Sequence, residues 1–108
     1  MKDFENKYKL KIYIGEDDQL KGESLYQKII SKAKKYNIRG ATAVRGVMGY
    51  GKNKNLHSSK FIRLFNNLPI VIEIIDKQKN LIPFIDYLKK NINSGFMTLE
   101  KIQTYSFE

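Results

Sequence analysis

The chain has no cysteine. That excludes disulfides, thiolate nucleophiles and cysteine-held zinc or iron–sulfur centres. It has one histidine, His57. A single imidazole falls short of the ligands a zinc site takes, so such a site would need symmetry-related copies of the chain. Long apolar runs are missing too. No stretch approaches the ~20 apolar residues of a spanning helix, and the opening MKDFENKYK has no apolar signal core. These absences point to a cytoplasmic protein. Arginine is scarce: Arg39, Arg45 and Arg63 stand against 17 lysines. The formal charge of +9 invites anionic partners, nucleic acid first. Arginine, however, is the preferred fork for phosphates and guanine edges, and lysine is spread along the whole chain. The charge therefore reads as a solvated lysine-rich surface. A length of 108 residues suits one domain, 1–108, with a small core.

What is present is strong periodicity. YKLKIYI, Tyr8 to Ile14, alternates: Leu10, Ile12 and Ile14 share one face, and Lys9, Lys11 and Tyr13 the other. Ser24 to Tyr36 has helical spacing, with Leu25, Ile29 and Ala33 at i and i+4, Tyr26 and Ile30 widening the stripe, and Ser24 with Gln27 as a capping box. Asn37 is a left-handed stop. Thr42 to Met48 and Pro69 to Asp76 read as strands, the latter β-branched nearly throughout. Leu81, Ile85, Leu88 and Ile92 mark a second helix, with Pro83 expected in its first turn, where a missing amide costs little. Ser94-Gly95 is a turn, and Met97 to Phe107 a last strand. The order βαββαβ predicts an α+β, ferredoxin-like sandwich: a four-stranded antiparallel sheet with two helices on one face.

A sheet covered on one side should alternate, yet PIVIEIID does not. Ile70, Ile72 and Ile74 line one face, and Val71 and Ile75 flank Glu73 on the other. Both faces need cover, and a homo-oligomer supplies it. Arg45 and Glu73 could pair across the hairpin and shape that interface; the alternative, open because spacing does not fix the strand register, is that Glu73 faces solvent.

Three glycines, Gly46, Gly49 and Gly51, end the second strand, and a basic run holding His57 follows. No lysine-serine pair follows them as in a Walker loop, and no helix pattern opens behind them. They read as bulges and close approaches at the exit into a long loop, about 50–62, whose moving part is Lys52 to Lys60. Gly49 and Gly51 also let backbone amides approach an anion. His57 has no nucleophile pattern beside it, so it reads as a loop anchor or ligand contact, not a catalytic base. Ser58 or Ser59 could accept a phosphate that Lys60 and Arg63 pair with. Glu16-Asp17-Asp18 lacks the glycine-punctuated calcium loop and reads as solvated.

The combination Gly40-Ala41-Thr42, Arg45-Gly46, Gly49-Tyr50-Gly51, Leu68-Pro69 and Glu73-Ile74-Ile75-Asp76, in this order, resembles the small PII-like proteins of domain of unknown function 190, over nearly the whole chain. The resemblance implies a trimer similar to the nitrogen-regulatory PII proteins. There, nucleotides bind in clefts between subunits at the base of a signalling loop that engages partner proteins. Some members of the family accompany ion-transport proteins, which implies a transport-linked role. The PII loop base Gly-Phe-Gly-Arg-Gln-Lys-Gly is matched in part by Gly49, Tyr50, Gly51, Lys52, Asn53 and Lys54. The resemblance makes these, with His57, the candidate contacts to a small anionic ligand, an adenine nucleotide among the candidates. Two PII features are absent. Asn93-Ser94-Gly95-Phe96 stands where PII proteins have Thr-Gly-Lys-Ile-Gly-Asp-Gly, and no Arg-x-Arg pair follows the last strand.

Three function classes follow. The first is a non-catalytic PII-like regulator with no metal and no fixed cofactor, acting as a homo-trimer on an unknown partner protein, a membrane transporter being one candidate. The second is a basic nucleic-acid-binding module on the ferredoxin-like sheet. RNA-recognition modules of this topology need exposed aromatics on the central strands. Tyr8 and Tyr13 are candidates, while PIVIEIID offers aliphatic side chains where a ring is wanted. The third is an enzyme, for which no catalytic constellation is found.

Overall fold

A computed structural model describes residues 1–50 and 67–108. Strand β1 runs Glu5–Gly15, and a two-residue pair, β2 (Gln19–Leu20) and β3 (Glu23–Ser24), follows it. Helix α1 (Leu25–Lys35), β4 (Ala41–Arg45), β5 (Pro69–Asp76), α2 (Gln78–Asn91) and β6 (Phe96–Thr104) complete the order. The main sheet is antiparallel throughout, in the order β4-β5-β1-β6. This is the ferredoxin-like βαββαβ arrangement that the alternation predicts. The small β2–β3 hairpin was not expected. It turns on Lys21 and Gly22, both at positive φ.

The core face of the sheet is a ladder of matched aliphatics: Leu10 opposite Ile74, Ile12 opposite Ile72, Ile14 opposite Ile70. All six are buried, under Leu25, Ile29 and Ala33 of α1 and Leu81, Phe84 and Leu88 of α2. Each such burial is worth about 1.5–3 kcal/mol before ordering costs. Phe84 is fully buried and was not in the expected stripe. Pro83 lies in the second turn of α2, not the first. Its ring faces water beside Lys79, where a carbonyl freed by the missing amide can be solvated.

Helix α1 starts at Ser24 without the expected capping box. The Ser24 hydroxyl makes no cap hydrogen bond and is buried without a partner among the described residues. The other end stops as predicted. Asn37 sits at φ 62°; its N–H donates to the Lys34 carbonyl, and the Ile38 N–H donates to the Ala33 carbonyl. That is the Schellman pattern, with Ile38 and Ala33 both in the core.

Strands β4 and β6 are shorter than expected. Strand β4 stops at Arg45 because the chain there packs down on Pro69. The Gly46 N–H donates to the Pro69 carbonyl at 2.7 Å, and a Cβ on Gly46 would lie 2.7 Å from the proline ring. Gly49 packs on the same ring. For these two residues the close-approach reading holds; Gly51 lies outside the described residues.

Candidate functional site

The second face of the sheet carries Lys7, Lys9, Lys11 and Tyr13 of β1, Val71, Glu73 and Ile75 of β5, Thr42 and Val44 of β4, and Phe96 and Ile102 of β6. No helix covers it. Val44 and Phe96 are more than half exposed. Tyr13 and Phe96, directly opposed, stack with ring centroids 4.6 Å apart. Tyr8 instead packs against the core, as strand parity requires. Only one of the two candidate stacking tyrosines therefore faces the open side.

The expected Arg45–Glu73 pair is not formed. The register sets Arg45 opposite Ile70, and Glu73 opposite Thr42. Arg45 thus projects from the helix-side face, and Glu73 from the open one. Arg45 pairs instead with Glu16 at 3.2 Å. That contact belongs to a set of ties around the acidic turn. The Glu16 N–H donates to the Leu68 carbonyl at 2.8 Å, and the Asp17 N–H donates to Asn67 Oδ1 at 3.0 Å. Asp18 Oδ2 accepts from the Gly15 N–H at 2.9 Å. The acidic turn is a structural clasp between β1 and the two ends of the 46–66 segment. Among the described residues no acidic or histidine cluster suits a metal. Because Arg45 is 57 % exposed, its ion pair is screened. Arg45→Ala and Glu16→Gln, combined in a double-mutant cycle, are expected to couple by roughly 0.2–1 kcal/mol. The same cycle between Arg45 and Glu73 is expected to show no coupling. Urea midpoints read both.

Of the residues expected to bind a ligand, Gly49 and Tyr50 are described, just after β4, Tyr50 being 69 % exposed. Gly51, Lys52, Asn53, Lys54 and His57 lie outside the described residues, as do Ser58 and Ser59. The described cleft with the best chemistry lies at the other end of the hairpin. It has a volume of about 310 Å³. Thr42 and Glu73, cross-strand neighbours, line it together with Ile75, Lys7, Arg39 and Tyr105. An ionised glutamate only accepts hydrogen bonds, and a threonine hydroxyl donates or accepts. Such groups in one cleft with an apolar side chain and two cations suit a flat head with an amino group and an anionic tail.

Asp76 holds this end together. It is 5 % exposed. Its carboxylate accepts from the Arg39 N–H at 3.1 Å, the Lys77 N–H at 2.7 Å and Asn80 Nδ2 at 2.9 Å. Burial pushes its pKa up, but the hydrogen bonds from Asn80, Arg39 and Lys77 and the Lys7 charge outweigh burial and hold it below the ordinary aspartate value. Asp76 therefore fixes the connection that carries Arg39 against the start of α2. A carboxylate at a strand end reads as solvent-facing in sequence; its burial is tertiary.

The family model described as Uncharacterized ACR, COG1993 (DUF190) matches residues 7–104. The chain belongs to the DUF190 family. Among curated relatives of this DUF190 protein, a UPF0166 protein of Aquifex aeolicus is 35% identical over 94 residues, 87% of this chain and 89% of its own. A UPF0166 protein of Methanocaldococcus jannaschii is 34% identical over 100 residues, 92% of each chain. Solved structures share the PII-like fold. One, from Thermus thermophilus and named as a candidate PII-like signalling protein, has a TM-score of 0.67 at 12% identity, covering 95% of this chain and 93% of its own. CPII of Thiomonas intermedia, bound to ADP and bicarbonate, has a TM-score of 0.66 at 17% identity, covering 95% and 92%. No helix among the described residues is long and apolar enough to cross a membrane.

Proposed function

We propose that this DUF190 protein is a non-catalytic, cytoplasmic, PII-like regulator. It binds a small anionic ligand, an adenine nucleotide being the class that fits, and presents residues 50–62 to a partner protein, with a membrane transporter as one candidate. The observation that carries the reading is one cleft lined by the cross-strand neighbours Thr42 and Glu73, by Ile75, and by the cations Lys7 and Arg39. The Glu73 carboxylate accepts from an exocyclic amine, Thr42 meets a ring nitrogen, Ile75 backs the ring, and the cations take the anion. The binding of ADP by CPII, which shares the fold, supports the same class. A homo-trimer completes the cleft. It covers the open face around Val44 and Phe96 and brings a neighbour's Gly49 and Tyr50 toward the ligand.

The test is thermal unfolding and calorimetric titration with AMP, ADP, ATP, GTP and bicarbonate, with mass in solution read by light scattering. A mass three times the 12.6 kDa chain and a saturable rise in midpoint with an adenine nucleotide are expected. A ligand at a hundred times its Kd adds about 2.7 kcal/mol. Glu73→Gln and Thr42→Val are each expected to weaken that binding about tenfold, the cost of one lost polar contact. A monomer that no nucleotide stabilises would overturn the reading.

A further inference from the structure

Beside the cleft, and sharing Lys7 and Arg39 with it, lies a second depression of about 350 Å³. Four cations from three parts of the fold converge on it: Lys7 of β1, Arg39 of the α1–β4 connection, and Lys77 and Lys79 at the start of α2. Two carboxylates also line it. Asp76 is spent on three N–H donors. Glu5 reaches Lys7 only at 3.9 Å. The Lys7 side chain is only 12 % exposed, although that long contact is the ion pair it makes. Among the described residues, the Arg39 guanidinium pairs only with the exposed Glu108 carboxylate, at 3.8 Å. Lys77 and Lys79 make no ion pair among the described residues. The Asp76 carboxylate offsets part of the Lys7 charge, but four cations against two carboxylates still leave the depression positive and favourable to an anion.

We propose that this depression is a phosphoryl subsite, with Lys7 and Arg39 joining it to the cleft that holds the ligand's flat head. The proposal rests on the cleft reading above and adds to it. The phosphoryl group of the nucleotide is gripped within one subunit by Lys7, Arg39, Lys77 and Lys79, away from the loop base. Lys7 is a half-buried point charge. Arg39 is a planar fork whose backbone Asp76 pins. The two α2 lysines close the outer side.

Calorimetric titrations with adenosine, AMP and orthophosphate test it, on the wild-type chain, on Lys77→Ala/Lys79→Ala, and on Lys89→Ala/Lys90→Ala as a control with the same charge change at the far end of α2. All four lysines are exposed, so neither variant should disturb the fold. The expected result is that AMP binding weakens at least tenfold in the Lys77/Lys79 variant and less than twofold in the control, with adenosine unchanged in both. Adenosine silent but orthophosphate bound by wild type and lost only in the Lys77/Lys79 variant would keep the subsite, assign it to free phosphate, and remove the nucleotide reading. Adenosine bound, with AMP equally tight in all three proteins, would overturn the subsite and leave the cleft standing. No binding of any of the three would overturn both.

Discussion

Gly95→Ala is expected to destabilise the folded chain by roughly 3–5 kcal/mol, the range reserved for backbone conflicts that cannot relax. Gly95 sits at φ +81° in the turn from α2 into β6, and a Cβ there would lie 2.1 Å from the Tyr13 carbonyl oxygen. Two separate penalties meet at one residue. The positive φ costs an alanine about 1–2 kcal/mol. The clash is with backbone of the central strand β1, which is hydrogen-bonded on both sides, so it cannot move away cheaply. Gly95→Asn separates the two penalties. Asparagine tolerates positive φ, as Asn37 does at 62°, but it brings the same Cβ. It is therefore expected to be nearly as harmful as alanine. Urea unfolding of both variants checks this; a loss below about 1 kcal/mol for alanine would mean that the turn does not approach Tyr13 as described.

Asp76→Ala is expected to cost about 3 kcal/mol or more, because it leaves the Arg39 and Lys77 amides and the Asn80 side chain without their acceptor. Asp76→Asn should fall between, since its carbonyl can accept but its amide meets donors. The loss carries a pH signature. The folded pKa of Asp76 lies below its ordinary value of 3.8, so the unfolded chain takes up this proton first as pH falls. The stability contributed by the carboxylate is complete above about pH 4 and drains away as pH falls through the folded value. Wild type and Asp76→Asn should therefore differ most at neutral pH and converge under acid conditions. Urea midpoints at pH 7, 4 and 3 read the convergence. A gap that stays constant with pH would mean that the carboxylate is not held charged.

Much of the fold was legible in the sequence because it rests on spacing. The YKLKIYI and PIVIEIID runs name their core residues by parity, and Leu25, Ile29 and Ala33 name theirs by helical turn. Asn37 signals its own left-handed stop. What failed depended on facts that spacing does not carry. Arg45 and Glu73 were set together because opposite charges in adjacent strands attract, but which residues meet is decided by register. A hairpin that pairs Thr42 with Glu73 puts Arg45 on the other face. Phe84 escaped because Pro83 pulled the expected helix start forward and shifted the stripe. Ser24 looked like a cap by residue type, and the β2–β3 hairpin claims its backbone. In the candidate site, Thr42, Glu73 and Asp76 were visible as parts of a recurring pattern. Their chemistry was not, because it comes from three connections meeting at one end of the sheet.

The clasp around Glu16 has a consequence for how the protein can change over generations. Gly46 is bonded to Pro69, and the acidic turn holds Asn67 and Leu68 from the side. The two points where the chain departs from the sheet and rejoins it are therefore tied by contacts among the described residues on either side. Closing a longer or shorter stretch across fixed points changes the entropy only logarithmically, about 0.6 kcal/mol for each doubling of length. The body can thus keep its core unaltered while the inserted stretch is rewritten, much as a socket accepts different plugs.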